Sequence, residues 1–148
     1  MRYLPPPGAS PAAVNLRAAG FVKSPSGGYD MLAPSFVTHA DLHRHHVAVA
    51  VSGPFTSAEH GDALRAAGLP LPTGYGLLVD LSGITVIADP GVRALKDLAR
   101  STLSAGHSVA FVCSELLLRA ELILADLDVV APVLQALEQA YPLVGFAA

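Results

Sequence analysis

The sequence predicts an α/β domain built on a mixed, mostly parallel sheet of four or five strands, with a hairpin at its N-terminal side and about four helices packed on it. Short apolar segments typical of buried strands alternate with segments of helical periodicity. The predicted connecting helices are of the length that parallel neighbours require. Two β-rich segments near residue 40 are only a few residues apart, which favours an antiparallel hairpin.

The first 30 residues are predicted to form an arm that is either extended or folded into one short helix. Turn- and linker-forming residues lie near its two ends, at residues 5–8 and 24–28. The candidate helix between them, residues 11–19, has few apolar anchors, so the sequence leaves open whether the arm docks on the domain. Residues 31–148 are predicted to form a single domain.

The front of that domain is predicted to be a hairpin followed by a helix. Residues 35–39 and the Val-rich residues 46–51 are its two strands. Thr56 and Glu59 have the spacing of a capping box and predict a helix that begins with Thr56 as the cap. Gly68 is predicted to end this helix.

Two buried strands follow, with a long helix between them. Residues 76–81 and 108–112 are continuous apolar runs, typical of strands covered on both faces. A turn-rich stretch is predicted after residue 81, and it leads to a helix that begins near Asp89 and ends at Gly106. Apolar residues recur on one face of this helix, so we expect it to pack on the sheet.

The next helix, which Ser114 is predicted to cap, is apolar on almost its whole circumference. Its apolar residues are Leu116, Leu117, Leu118, Leu122, Ile123 and Leu124. One face must pack on the sheet, and the remainder is either covered by the N-terminal arm or exposed. Deep burial is the simpler expectation. The alternative is an exposed patch that serves as a partner surface or homodimer interface. The last predicted helix covers residues 133–141.

Composition excludes several classes of protein. The chain has 148 residues, of which 52% are hydrophobic and 14% charged, and this balance is the opposite of that of a disordered protein. A net charge of −3 gives no general attraction to nucleic acid, and we expect none as a partner. No apolar stretch approaches the roughly 20 residues of a membrane span, so membrane insertion is not expected. Cys113 is the only cysteine, which favours a cytoplasmic location.

Residues 77–87, Leu-Leu-Val-Asp-Leu-Ser-Gly-Ile-Thr-Val-Ile, closely resemble the STAS domain, the module of anti-sigma-factor antagonists and of sulfate-transporter tails. In that family an apolar strand ends in Asp-Leu-Ser and is followed by a small residue, apolar residues, a loop and a helix. Residues 53–56, Gly-Pro-Phe-Thr, resemble the family's upstream turn, with Thr56 in place of an acid. The resemblance covers about residues 36–141 and implies the STAS fold.

The chain departs from this family where the family is switched. In anti-sigma-factor antagonists a Ser or Thr of the loop is phosphorylated by the partner kinase, and the added charge breaks the complex. Without a gap, Asp89 aligns with the phosphorylated Ser and Pro90 with the next Ser or Thr. Ala88 aligns with the family's Asp, and Gly91 matches. The usual phosphoacceptor is therefore missing.

Two interpretations of Asp89 remain open. As a helix N-cap, its carboxylate accepts an N–H of the first turn, and Pro90 occupies the first helical position. As a permanent but partial copy of the phosphorylated state, it holds the module in one binding state. The copy is partial because a phosphoserine carries about −1.5 to −2 charge and three acceptor oxygens.

The resemblance implies a non-enzymatic protein-binding module of bacterial sigma-factor and transcription regulation, without a cofactor. Its implied partner is an anti-sigma factor or related serine-kinase-type protein, and it is not switched at the usual serine. The implied contact residues are Gly53, Phe55, Ser82, Thr85, Ala88, Asp89, Pro90, Gly91 and Arg93. The alternative function is that of a STAS-like sensor of a small ligand, either a nucleotide or a lipid.

Other side chains that could carry chemistry favour plainer roles. His39, His43, His45 and His46 are the only cluster that suggests a metal, and a solvated hairpin explains them better because few other ligands lie nearby. Ser82 and Ser114 lack the Gly-x-Ser-x-Gly context of a nucleophile. Cys113 is expected to pack as a small apolar residue, and Asp80 to bond within its loop. The sequence therefore predicts neither an enzyme nor a metal site.

Overall fold

The computed structural model describes residues 21–23, 29–31 and 33–144 of the chain. The candidate helix over residues 11–19 and most of the predicted arm lie outside the described residues. Within the arm, β1 (Phe21–Lys23) and β2 (Tyr29–Met31) pair as a short antiparallel ribbon.

The core of the fold is a five-stranded mixed sheet, which confirms the predicted fold class. Its strands are β3 (Ser35–Asp41), β4 (His46–Phe55), β5 (Gly76–Ile87), β6 (Val109–Val112) and β7 (Val133–Leu134). They lie side by side in the order β3-β4-β5-β6-β7. The β3–β4 pair is the predicted antiparallel hairpin, and the other three pairs are parallel.

Helices connect the parallel strands, as such pairs require. The connecting helices are α1 (Ala58–Gly68), α2 (Asp89–Ser104), α3 (Leu116–Leu124) and α4 (Leu127–Val130), and α5 (Leu137–Ala140) follows β7. No helix in the described ranges is both long enough and apolar enough to cross a membrane.

Strand alternation divides the core between the two faces of the sheet. Val49, Val79 and Phe111 point to one face, where they pack with buried residues of the first four helices. Leu78 and Ala110 point to the other face and form a smaller cluster with α5 and the turn after it. The sheet is therefore covered on both faces, as its continuous apolar strands predict.

Strand β5 is longer than expected, and the turn-rich stretch predicted after residue 81 is wrong. Hydrogen bonding with β4 carries β5 on to Ile87, which is paired with Phe55. The register shifts between Ala50 and Ser52 and again before Pro54, so the far half of the pair is irregular. Gly53 has φ 94°, a conformation that favours glycine. These irregularities account for a sequence that resembles a turn yet forms a strand.

The predicted start of α1 is displaced by one residue. Ser57, not Thr56, is the N-cap, and its hydroxyl accepts the N–H of His60 at 3.2 Å. The His60 ring in turn accepts the N–H of Thr56 through Nδ1, at 2.9 Å. Glu59 has no part in this cap, because the one-residue shift puts His60 at the reciprocating position.

The start of α2 also differs, and the N-cap interpretation of Asp89 is wrong. Ala88 is the capping residue, with extended backbone angles (φ −135°, ψ 164°), and Asp89 is the first residue of the helix. Because β5 continues to Ile87, one residue joins strand and helix, and the helix begins earlier than the local sequence suggests.

Two further corrections concern the C-terminal third. Glu115, without a side-chain capping bond, precedes α3, whereas the predicted cap Ser114 bonds elsewhere. The predicted helix over residues 133–141 is reduced to α5, because its first residues form β7. Leu134 accepts the Cys113 N–H at 2.8 Å, so pairing with β6 overrides the local helical pattern.

The histidine-rich end of the β3–β4 hairpin contacts the C-terminal part of the chain. Asp41 accepts the Arg44 N–H at 2.9 Å and the Arg44 guanidinium at 3.0 Å, and these bonds lower the pKa of Asp41 to about 2. The guanidinium carbon lies 4.3 Å from the centre of the Tyr141 ring. His46 is buried and stacks on the same ring, and no described residue hydrogen-bonds its Nδ1.

Replacing Gly91 is expected to show how closely α2 approaches β4. A Cβ at this position would overlap the backbone carbonyl of Phe55, which has little freedom to move. Gly91→Ala is therefore expected to lower the free energy of unfolding by about 1–3 kcal/mol. In an ordinary helix interior the same change is stabilising, by about 1 kcal/mol. Denaturant unfolding monitored by circular dichroism measures the sign, with exposed Arg100→Ala as the control in α2; a stability equal to or above wild type would contradict the packing.

His46 is expected to make stability depend on pH. Burial lowers the pKa of His46 below its usual value of 6.5, although Asp41 acts in the opposite direction. The unfolded chain therefore takes up this proton at a higher pH than the folded protein does. Stability is expected to decline as the pH falls below about 6.5 toward the lowered value.

His46→Phe keeps a ring against Tyr141 and removes the titrating group. The loss of unfolding free energy between pH 7 and pH 5, measured by denaturant titration, should be smaller in this variant than in wild type. His43→Gln, at an exposed position of the same loop, serves as the control and should follow wild type. An identical slope for wild type and His46→Phe would rule out this role of His46.

Candidate functional site

The predicted site lies where β4 and β5 end side by side and α2 begins. Phe55 and Ile87 are paired, so the carboxyl ends of two parallel strands meet at the same end of the sheet. Ligand and partner sites of open α/β sheets are commonly found at this end. Ala88 alone joins β5 to α2, so the position of the loop is determined by strand and helix together.

Five of the predicted contact residues present surface at this end. Thr85, Asp89, Pro90 and Arg93 are exposed, and Ala88 is half-buried. The Asp89 side chain makes no hydrogen bond or ion pair with any residue in the described ranges. A negative charge in the first turn of a 16-residue helix also lies at the favourable end of the helix dipole. The site therefore presents an exposed carboxylate at the start of α2 that no described residue pairs.

Three predicted contact residues lie beneath this surface. Gly53 and Gly91 are buried, and the Phe55 side chain is entirely inaccessible to solvent. Phe55 packs under the loop, and its carbonyl leaves no room for a side chain on Gly91. These residues set the position of the loop and offer a partner almost no surface.

Ser82 and Asp80 are part of a hydrogen-bonded link between β5 and the segment that joins β6 to α3. Asp80 Oδ1 accepts the Ser82 N–H at 3.0 Å, but both residues lie in β5, so this bond is within the strand and not within a loop as expected. The Ser82 hydroxyl accepts the Ser114 N–H at 2.9 Å and lies 3.1 Å from the Ser114 hydroxyl. This link holds the segment before α3 beside β5.

The start of α2 has a hollow on each side. On the α1 side, Pro90 and Arg93 line a shallow hollow of about 160 Å³. On the α3 side, Thr85, Ala88 and Asp89 lie along a longer depression that faces α3. The predicted contact residues are therefore split between two neighbouring surfaces.

Helix α3 forms the far wall of that depression, and the expected deep burial of this helix is wrong. Leu118 and Leu122, one turn apart, are buried against the core. The exposed apolar residues of α3 are Leu116, Leu117, Ile123 and Leu124. A nine-residue helix at the edge of the core can bury only one stripe. The uniformly apolar sequence indicated a patch, but it gave no sign of which leucines face solvent.

The other side chains that could carry chemistry, namely the hairpin histidines and Cys113, lie at positions that suit structural roles. His39 and His43 are exposed, and His45 packs edge-on against Tyr75 at 5.4 Å between ring centres. In the part of the chain that the structure describes, no group of three potential metal ligands comes together. Cys113 is fully buried, and this burial raises the pKa of its thiol, as suits an apolar packing role.

Comparison with known proteins supports the fold. No protein-family model and no curated protein matches the sequence. Among solved structures, the crystal structure of an anti-sigma factor antagonist from Mycobacterium paratuberculosis is similar, with a TM-score of 0.56 and 18% sequence identity. The match covers 82% of this chain and 97% of that one. The chain therefore has a STAS-like fold, as the resemblance of residues 77–87 implies.

Proposed function

We propose that this protein is a non-enzymatic binding module that acts as an anti-sigma factor antagonist in the regulation of transcription. Its partner is an anti-sigma factor or a related protein of the serine-kinase type, and the contact is made by the start of α2. The observation that carries the proposal is the exposed carboxylate of Asp89 at the junction of β5 and α2, which no residue in the described ranges pairs. The STAS-like fold supports this placement.

Asp89 makes the charge of this contact permanent. No hydroxyl occurs at residues 88–91, so a kinase has no acceptor at the usual position. If Asp89 copied the phosphorylated, released state, the module would not bind its partner. The exposed surface beside Asp89 would then have no role in binding. We therefore take Asp89 to be a contact that the partner meets with a cation or with hydrogen-bond donors. Charge at the rim of an interface acts on association rate and on the choice of partner.

Substitution of Asp89 tests the proposed contact. The anti-sigma factors encoded in the same genome are purified and titrated calorimetrically with the wild-type chain and with Asp89→Arg. At least one is expected to bind wild type, and Asp89→Arg is expected to weaken that binding about tenfold, or about 1.4 kcal/mol. Glu138→Arg is the matched control, because Glu138 is an exposed carboxylate on α5, outside the surfaces at the start of α2. Absence of any binding anti-sigma factor would refute the proposal.

Asp89→Ser distinguishes the two functional meanings of the carboxylate. If Asp89 is a contact, the serine variant binds more weakly than wild type but gains the family's phosphoacceptor. A kinase-type partner with ATP should then label Asp89→Ser and leave residues 88–91 of wild type unlabelled. If Asp89→Ser bound the partner more tightly than wild type does, Asp89 would be acting as a permanent copy of the released state. That result would contradict a contact role for Asp89.

A cavity at the opposite end of the domain favours a second candidate function, the sensing of a small ligand. It measures about 500 Å³, within the roughly 300–1,000 Å³ range of ligand pockets, and lies between the C-terminal ends of α1 and α2. Its lining is mainly apolar, with Arg65, His107 and Asp62 as the charged or titratable groups. One Arg65 nitrogen, Nη1, donates a hydrogen bond to the Ser101 hydroxyl at 2.9 Å. The other N–H groups of the guanidinium can bind a ligand. An apolar chain with an anionic head fits this lining better than a nucleotide does.

Dodecanoate is a suitable probe for this second candidate. We expect it to raise the midpoint of thermal unfolding, because a ligand that binds the folded state stabilises it. Arg65→Gln should weaken binding about tenfold, whereas Arg100→Gln, on the exposed side of α2, should not. Dodecyltrimethylammonium reverses the sign of the head group and should not bind. Equal effects of the two detergent-like probes would exclude a specific site.

A further inference from the structure

A continuous groove runs between the end of β5 and helix α3. It consists of two depressions, of about 330 and 310 Å³, which share Ile87 and Glu121 on their walls. One wall carries Thr85, Val86 and Asp89, and the other carries residues 115–125. We refer to it as the β5–α3 groove.

The groove exposes large apolar side chains that a folded protein ordinarily covers. Val86 is 56% exposed, Leu117 is 74% exposed and Leu124 is 83% exposed, and all three line the groove. Single exposed apolar residues are ordinary on protein surfaces. Three of them along one concave surface are typical of a binding site.

Among the described residues, the charged side chains that line the groove are all negative. They are Asp89, Glu115 and Glu121, and no described Lys or Arg lines either depression. None of the three carboxylates has an ion-pair partner in the described part of the chain. Arg119, the basic residue of α3, directs its guanidinium to the carbonyl of Cys113 at 3.1 Å. Within the described residues, the negative charge of the groove is therefore uncompensated.

We propose that the β5–α3 groove binds a cationic amphipathic helix supplied by the protein partner. This inference rests on the proposed function and specifies the chemistry of the partner's surface. Leu117 and Leu124 are seven residues apart on one helix, which corresponds to roughly 10 Å. A partner helix with apolar residues at positions i, i+3 or i+4, and i+7 spans that distance. Its lysine or arginine side chains lie beside Asp89, Glu115 and Glu121.

Charge also decides against two other occupants. A second copy related by two-fold symmetry would bring identical acidic surfaces together, and like charges across an interface are unfavourable. An anionic membrane surface would be repelled by the same three carboxylates. A basic polypeptide is the occupant that both the apolar and the acidic parts of the groove accommodate.

A pair of synthetic peptides tests the groove directly. The probe is a fluorescein-labelled, 18-residue amphipathic helix of Leu and Lys, and its counterpart replaces every Lys with Glu. Fluorescence anisotropy with the full chain should show binding of the Lys peptide and none of the Glu peptide. Raising the salt concentration should weaken the binding, because ions screen charges at an exposed surface.

Matched variants locate the binding. Glu121→Lys, and the double variant Leu117→Ser with Leu124→Ser, should each raise the Kd for the Lys peptide at least about tenfold. Glu138→Lys on α5 and Leu103→Ser on α2 make the same chemical changes at exposed positions outside the groove and should have no effect. All the replaced side chains are exposed, and circular dichroism confirms that each variant is folded. Equal loss of binding in the control variants would overturn the proposal.

The other occupants give distinct results. A homodimer seen by analytical ultracentrifugation and lost in the double leucine variant would show that a second copy fills the groove. Arg2→Glu with Arg17→Glu in the full chain tests the cationic N-terminal segment. Tighter binding of the Lys peptide by that variant would show that this segment competes for the groove. Either result would overturn the proposal of a partner helix.

The same variants separate this inference from the proposed function. An anti-sigma factor that binds wild type and Glu121→Lys equally well would leave the proposed function standing and refute the groove as its contact. Binding of the Lys peptide in the groove, with no anti-sigma factor bound by wild type, would support the groove and refute the proposed function.

Discussion

The structure depends on the close approach of the first turn of α2 to the end of β4. Gly91 lies against the Phe55 carbonyl with no room for a side chain, and Phe55 is itself paired with Ile87 at the end of β5. Strand pairing and helix packing therefore meet within one turn of Asp89. Because both are parts of the core, the loop between β5 and α2 is held in place by the strand and the helix on either side of it. The Asp89 side chain can then remain exposed, and unpaired by any described residue, while its backbone is well defined.

The groove beside this loop has a comparable origin. The Ser82–Ser114 hydrogen bonds hold the segment before α3 next to β5, and Leu118 and Leu122 anchor the helix in the core. With its buried stripe directed inward, α3 must present its remaining leucines outward. The proposed partner helix would cover the exposed apolar area of the groove. It would also neutralise the negative charge that the described residues leave uncompensated.

The two ends of the parallel sheet carry different chemistry. The histidine-rich hairpin and the cavity beside Arg65 and His107 lie at the end where the parallel strands begin. Asp89 and the β5–α3 groove lie at the end where β4 and β5 finish. Binding of a partner at one end and of a small ligand at the other would not compete for space. Each can therefore be removed by substitution without direct damage to the other.

Local pattern was sufficient for the order of elements from β3 to α3, because side-chain periodicity reports which faces are buried. It also located the Asp89 loop and marked α3 as unusually apolar. Helix starts and strand lengths depended on partners distant in sequence: β5 continues to Ile87 through pairing with β4, and β7 forms because β6 offers hydrogen bonds. The exposure of Leu117 and Leu124 and the proximity of Glu121 to Asp89 likewise arise only when α3 packs beside β5. Periodicity records that a residue is apolar, whereas packing against the rest of the chain determines whether it is covered.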